Sequence, residues 1–167
     1  VAQEEGYDVT FLPKPFEDRT GTGGHFNMSL ADVDTGENVF PAEDGDERGL
    51  GLSRVGYQFM AGILEHLPAI TAVAAPTVNS YKRLIASGSM TGYTWAPVYI
   101  SYGDNNRSHA VRVPTKSPRV EVRSVDLTTN PYLASAMFLG AGLDGIEKGL
   151  DPGDPIDDNM WELSEEE

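Results

Sequence analysis

The stretch Leu50–Ala75 constrains the fold more than any other part of the chain. Apolar side chains stand at 52, 55, 59, 60, 63, 64 and 67, the spacing of one helical face, and Ser53 supplies a start signal. Pro68 is expected to end or redirect this helix, an apolar continuation to reach Ala75, and Pro76 to stop it. Asn130–Gly149 reads as a second helix, with Asn130 as its N-cap and Pro131 at the first helical position. Its small residues predict close packing on a neighbour. A short helix is expected over Thr77–Leu84, with Thr77 or Asn79 near its cap.

Between these helices, alternation of β-branched and aromatic residues with polar ones predicts strands. They fall at Tyr7–Leu12, closed by Pro13-Lys14-Pro15, and at His25–Leu30, Val98–Tyr102, His109–Val113 and Arg119–Val125. Residues 17–24 read as a polar, glycine-rich turn and 32–48 as an acidic loop without periodicity. Ser87–Trp95 (SGSMTGYTW) is the best candidate for a mobile flap, and the tail from Asp151 reads as an exposed extension. With no internal repeat and no linker, residues 1–167 are expected to form one α+β unit.

Charge narrows the function. The net charge of −14 argues against nucleic-acid binding. Residues 32–48 carry seven acids and one base, and residues 151–167 eight acids and no base. Residues 82–123 run the other way, with Lys82, Arg83, Arg107, Arg112, Lys116, Arg119 and Arg123 against Asp104 and Glu121. Five arginines concentrated in one segment of an acidic chain point to a site for anionic groups, with a solvated surface as the alternative. The acid excess with only four lysines also fits a salt-loving source. No cysteine is present, which excludes disulfide and thiol chemistry. No run of about 18 apolar residues predicts a membrane span, so a cytoplasmic, soluble protein without membrane partners is expected. The first residue is Val1, consistent with a fragment of a longer chain.

Two short motifs carry chemistry. In RVEVR, alternation puts Arg119, Glu121 and Arg123 on one face. That arrangement is either an ion-pair ladder or a site where Glu121 binds a cation while the arginines bind its anions. In GTGGHFNMSL, glycines precede His25 and would let backbone amides approach a ligand, although no phosphate-binding GxxxxGK[ST] is present. Taken locally, His25 is either a turn-adjacent residue or a ligand. His66, near the expected end of the long helix, and His109 read as structural.

TFLPKPF, GTGGHFNMSL, PTVNSYKRL, NNRSHAVRVP, RVEVRSVD and NPYLASAMFLGAGLDGIEKGLDPGDP occur in the order and spacing of the glutamine synthetase catalytic domain. The resemblance runs from about Val1 to Leu163 and implies an antiparallel sheet forming a half-barrel active site with packed helices. It implies ATP-dependent ligation of ammonia to the γ-carboxylate of L-glutamate through γ-glutamyl phosphate. It makes His25 and Glu121 ligands of a Mg²⁺ or Mn²⁺ ion. It makes Gly21, Arg83 and Arg123 glutamate-binding residues, with Arg107 and Arg123 also catalytic. It assigns Asn27, Ser29, Arg107, Arg112 and Lys116 to the nucleotide.

The departures are equally specific. Asn27 replaces a second histidine and Thr20 an asparagine. In SGSMTGYTWAP, Thr94 or Trp95 stands where the family's flap carries a glutamate that binds and deprotonates ammonium. That form resembles the type III and γ-glutamylmethylamide synthetase branch, so a small alkylamine is an alternative acceptor. A non-catalytic, glutamine-synthetase-like structural or regulatory protein is a further alternative. Relative to the family the sequence is expected to lack the N-terminal β-grasp domain and the first half of the catalytic domain. It is therefore expected to be inactive alone, and the full-length chain to form a ringed homo-oligomer with shared active sites.

Overall fold

The computed structural model describes residues 1–46, 48–85 and 96–162. The expected flap over Ser87–Trp95, with Thr94 and Trp95, lies outside them.

Four three-residue strands, β1 (Phe26–Met28), β2 (Tyr102–Asp104), β3 (Val111–Val113) and β4 (Val120–Val122), form one sheet in the order β1-β4-β3-β2. β1–β4 and β3–β4 are antiparallel, but β2 and β3 run parallel. The sheet is therefore mixed, where an antiparallel one was expected. The physical cause is the connection Asn105–Ala110. Asn105 takes a left-handed φ of 47°, and the chain recrosses so that Val111 N–H donates to the Ser101 carbonyl at 3.0 Å. Only β3 and β4 are joined by a tight turn, closed by Ser117 N–H to the Pro114 carbonyl at 3.0 Å.

Helix α1 spans Arg54–Ala74 without interruption, with the Ser53 hydroxyl accepting from Gly56 N–H at 3.2 Å. Pro68 sits inside it rather than ending it. An internal proline costs about 3 kcal/mol, but Leu67, Ile70 and Ala74 are buried on either side of it, and their burial outweighs that cost. α2 is the single turn Val78–Tyr81, closed by a capping box between Thr77 and Ser80. α3 (Pro131–Lys148) begins with the Asn130 side chain accepting from Tyr132 and Leu133 N–H and ends at Gly149, φ 63°. The expected close packing is present. A Cβ on Gly62 of α1 would lie 2.0 Å from the Ala141 carbonyl, and one on Gly142 of α3 would lie 2.2 Å from the Phe59 ring. The core fills the space between α1, α3 and the inner face of the sheet, including Phe59, Met60, Ile63, Val111, Val113, Val120, Val122 and Phe138.

Three further expectations fail. The strand expected over Val98–Tyr102 begins only at Tyr102 and runs on to Asp104, because pairing with β3 sets its place. Tyr7–Leu12 forms no strand; after a 3₁₀ turn at Gln3–Glu5 the segment is irregular, with Tyr7, Val9 and Phe11 exposed. Alternation makes a strand only beside a pairing partner, and none of the described residues supplies one. The tail after α3 is not a free extension either. Arg48 Nη2 meets Asp151 at 2.7 Å, Ile156 N–H donates to the Tyr102 carbonyl at 3.0 Å, and Met160 N–H donates to the Ser108 hydroxyl at 3.1 Å. It straps the outer side of β2.

Candidate active site

Register builds the site. Along β1, His25, Asn27 and Ser29 face out while Phe26, Met28 and Leu30 turn towards the core. Asn27 lies opposite Glu121, and Glu121 opposite Arg112, so one row crosses three strands. Glu121 Oε2 accepts from Arg112 Nη1 at 2.8 Å and Oε1 from Arg123 Nη1 at 2.7 Å. Arg119 turns outward along the same row, where its Nε donates to Asn27 Oδ1 at 2.7 Å. Arg123 Nε donates to the Arg107 carbonyl at 3.1 Å, tying β4 to the loop before β3.

Two clefts adjoin here. One is lined by Thr20, Gly21, Gly23, His25, Arg83, Ala96 and Arg123. The other is lined by His25, Asn27, Arg107, Arg112, Glu121 and Arg123. His25 and Arg123 belong to both. The glycines of the turn are needed for clearance: a Cβ on Gly21 would lie 2.4 Å from the Pro13 carbonyl, and one on Gly23 would lie 2.9 Å from Arg83 Nη2.

Of the ten candidate residues, the two clefts bring together eight: Gly21, His25, Asn27, Arg83, Arg107, Arg112, Glu121 and Arg123. Ser29 lines a separate groove with Phe59 and Leu139, and Lys116 lies exposed on the turn between β3 and β4. A further cavity, between Asp46, Arg48, Tyr57 and Asp151, is closed by the Arg48–Asp151 ion pair and the Tyr57–Asp46 hydrogen bond of 2.8 Å. Those contacts are structural.

Electrostatics set the protonation states. His25 faces the cleft, yet enough protein surrounds it that desolvation, followed by the charge of Arg123, pushes its pKa below the ordinary histidine value. Burial opposes the charge of Glu121, but the Arg123 hydrogen bond and the charges of Arg112 and Arg123 outweigh it and keep this carboxyl ionised. Neutral imidazole and ionised carboxylate are the forms that ligate cations. Arg83 is 5% exposed, and burial lowers its pKa to about 10, opposed by the charge of Asp126. Its guanidinium donates to the carbonyls of Ser124 and Arg123, each at 3.1 Å.

The other two histidines lie away from the clefts. His66 is mid-helix, not near a helix end, because α1 continues past Pro68; its Nε2 lies 2.8 Å from Asp144 Oδ2 on α3. His109 is fully buried, with Nδ1 2.8 Å from the Ser101 hydroxyl.

Sequence reasoning read Asn79 as a candidate cap and passed over its pairing with Lys14. Lys14, read as part of a breaker, is buried and exchanges two backbone hydrogen bonds with the Asn79 side chain, at 2.7 and 2.9 Å. Prolines on both sides of Lys14 were the available signal, since they leave its backbone groups free for a side chain to read.

The sequence model of the family described as "Glutamine synthetase, catalytic domain" matches residues 1–167. The chain belongs to the glutamine synthetase catalytic-domain family. Within it, the chain is 47% identical over 165 residues to a glutamate–methylamine ligase of Methyloversatilis universalis and 49% identical over 169 residues to a glutamine synthetase of Halobacterium salinarum. Each match covers 99% of this chain but only 36% and 35% of those relatives, so the chain spans about a third of their length. A solved structure described as a GmaS/ADP complex superposes with a TM-score of 0.84 at 45% identity, over 96% of this chain and 36% of that one. An α+β architecture with a mixed sheet is thus shared with solved members of the family. Among the described residues no helix is long and apolar enough to cross a membrane.

Proposed function

We propose that the gene product carrying this chain ligates an amine to the γ-carboxylate of L-glutamate at the expense of ATP. The observation that carries this reading is the convergence of His25 and Glu121 with Arg83, Arg107, Arg112 and Arg123 around two adjoining clefts. Phosphoryl transfer between anions needs positioned positive charge more than covalent chemistry from the protein.

A γ-carboxylate oxygen attacks the γ-phosphorus of ATP and ADP departs, giving γ-glutamyl phosphate. The amine then attacks the acyl carbon, phosphate leaves, and the nitrogen loses its extra proton. Arg83 and the Gly21 backbone hold glutamate at one end. Arg107 and Arg112 hold the nucleotide phosphates at the other. Arg123, common to both clefts, meets the phosphoryl group as it passes between them. Asn27 borders the nucleotide side. Assigning Ser29 and Lys116 to the nucleotide requires it to extend along β1 towards the Pro114–Ser117 turn.

A hard divalent cation fits the donor set. His25 and Glu121 are an imidazole and a carboxylate in ligating protonation states on one cleft. Among the described residues no group of three His, Cys, Asp or Glu assembles, and the reading draws two ligands, His25 and Glu121, from them. Bound there, Mg²⁺ or Mn²⁺ would neutralise charge on the transferring phosphoryl group.

Ammonia is the acceptor in the principal reading. A second reading, an alkylamine such as methylamine, is favoured by Thr94 and Trp95, neither of which can act as a base at neutral pH, and by the likeness to a glutamate–methylamine ligase. Phosphate release by the native gene product with glutamate and ATP, ammonium against methylamine, separates them. A strong preference for ammonium defeats the alkylamine reading, and the reverse preference defeats the first. The expected ringed homo-oligomer is tested by light scattering on the same preparation, where a monomeric mass contradicts it.

A further inference from the structure

The loop between β2 and β3 sends its side chains in two directions. Asn105, at its left-handed φ of 47°, accepts from Arg112 Nε at 3.0 Å, and Arg107 lines the cleft that Arg112 and Glu121 share. Asn106 and Ser108 turn the other way, to the strap. Asn106 Nδ2 donates to the Asp158 carbonyl at 2.9 Å, and the Ser108 hydroxyl accepts from Met160 N–H at 3.1 Å. The same two side chains are bonded to each other. Asn106 Oδ1 accepts from Ser108 N–H at 2.9 Å and from the Ser108 hydroxyl at 2.7 Å, which closes a turn with Arg107 at its apex. The hydroxyl thus donates to Asn106 and accepts from the strap, using both of its capacities. Ser108 is 3% exposed and Met160 5%, so this junction is shielded from water, where hydrogen bonds hold more firmly.

The junction matters to the cleft because Arg107 itself is exposed there. A long, exposed side chain reaches only where its backbone lets it, and ordering it costs rotamer freedom. The Arg107 backbone is fixed by the Asn106–Ser108 turn, by the strap behind that turn, and by its own carbonyl, which accepts from Arg123 Nε at 3.1 Å. Without the two bonds to the strap, the turn is anchored on the cleft side alone.

We propose that Asn106 and Ser108 are positioning residues that dock the Arg107 turn on residues 158–160 of the strap, and so hold the Arg107 guanidinium at the nucleotide end of the cleft. Neither residue touches the nucleotide. The proposal rests on the reading of Arg107 as a residue for the nucleotide phosphates. Holding the turn in place before the nucleotide arrives removes part of the ordering cost from binding.

The test is a double-mutant cycle in the native gene product, read as ADP affinity by calorimetry, which needs no turnover, with the glutamate KM measured beside it. Asn106→Ala removes both the bond to Asp158 and the closure of the turn. It is expected to weaken ADP binding about tenfold and to leave the glutamate KM within about twofold of wild type. In an Arg107→Met background the same change is expected to add less than about twofold, because the guanidinium it positions is gone. Arg48→Met unties the strap at its other end, from Asp151 and the Gly153 carbonyl, and controls for lost strap stability. It is expected to lower the melting temperature with ADP affinity within about twofold of wild type. Unchanged ADP affinity in Asn106→Ala, an equal rise in its glutamate KM, full multiplication of the two single effects, or an equal loss of ADP affinity in Arg48→Met overturns the proposal. An Arg107→Met enzyme with wild-type ADP affinity defeats the reading of Arg107 itself, and the proposal with it. Should Asn106→Ala fail to fold, Ser108→Ala removes the hydroxyl alone; about threefold weaker ADP binding is expected, and no weakening overturns the proposal.

Discussion

Glu121 holds two guanidinium groups with its two oxygens, a structural part beside the ligand role proposed for it. Replacing it with glutamine keeps the shape but leaves Arg112 and Arg123 without their buried counter-charge. Glu121→Gln is expected to lower turnover by about 10²–10³-fold and to raise the Mg²⁺ concentration needed for half-maximal rate. The check is a magnesium titration of initial rates, with circular dichroism confirming the fold; a variant with wild-type magnesium dependence would contradict the assignment. Much of this row was legible in the sequence, because period-two alternation alone puts His25 with Asn27 and Glu121 with Arg123. The local sequence left open whether RVEVR was a ladder or a site, and the structure pairs Glu121 with Arg123 and with Arg112 of β3 at the edge of a cleft, while Arg119 turns to Asn27 instead. The place of Lys14 was not legible. Its partner, Asn79, lies 65 positions away, and no local pattern announces a contact at that separation.

Helix faces are better announced than helix ends. The apolar spacing over 52–67 and the small residues of 130–149 correctly predicted two helices, the second packed closely on a neighbour, and Ser53, Thr77 and Asn130 cap where expected. Pro68 misled, because a backbone rule predicts a break that tertiary packing overrides. Strand direction and pairing misled for a related reason: the parallel β2–β3 pair depends on how one six-residue loop crosses. The contact between α1 and α3 gives a paired prediction. Gly62→Ala drives a Cβ against the Ala141 carbonyl and is expected to cost about 3 kcal/mol. Gly140→Ala in α3 meets nothing within 4 Å among the described residues and is expected to stabilise by about 0.5–1 kcal/mol. Denaturant melts of both variants check this, and equal destabilisation would contradict the packing.

The strap behind β2 makes a separate prediction. Burial raises the Tyr102 hydroxyl from 10.0 to about 12, and that hydroxyl donates to the Gly153 carbonyl. A raised phenol pKa stabilises the folded state below the unfolded value, and the stabilisation is lost as pH climbs from 10 through about 12. Stability should therefore fall by about 1–2 kcal/mol over that window, and Tyr102→Phe should flatten the fall in a pH series of thermal melts. An unchanged slope in the variant would place the alkaline sensitivity elsewhere.

At the scale of the molecule, charge is sorted by region. The acidic segments 32–46 and 151–162 lie along the surface loops and the strap, while Arg83, Arg107, Arg112 and Arg123 line the clefts. A chain with net charge −14 thereby lines two adjoining clefts with cations. Composition revealed that asymmetry, but only the sheet order brings β1, β4 and β3 side by side and turns it into a site. The central claim is that this site phosphorylates glutamate before the amine arrives. Hydroxylamine, supplied as the amine to the native gene product with ATP and glutamate, tests it by trapping the acyl phosphate. The account predicts γ-glutamyl hydroxamate and ADP in equal amounts, both requiring glutamate; ADP formed without glutamate, or glutamate-dependent ADP without hydroxamate, would contradict it.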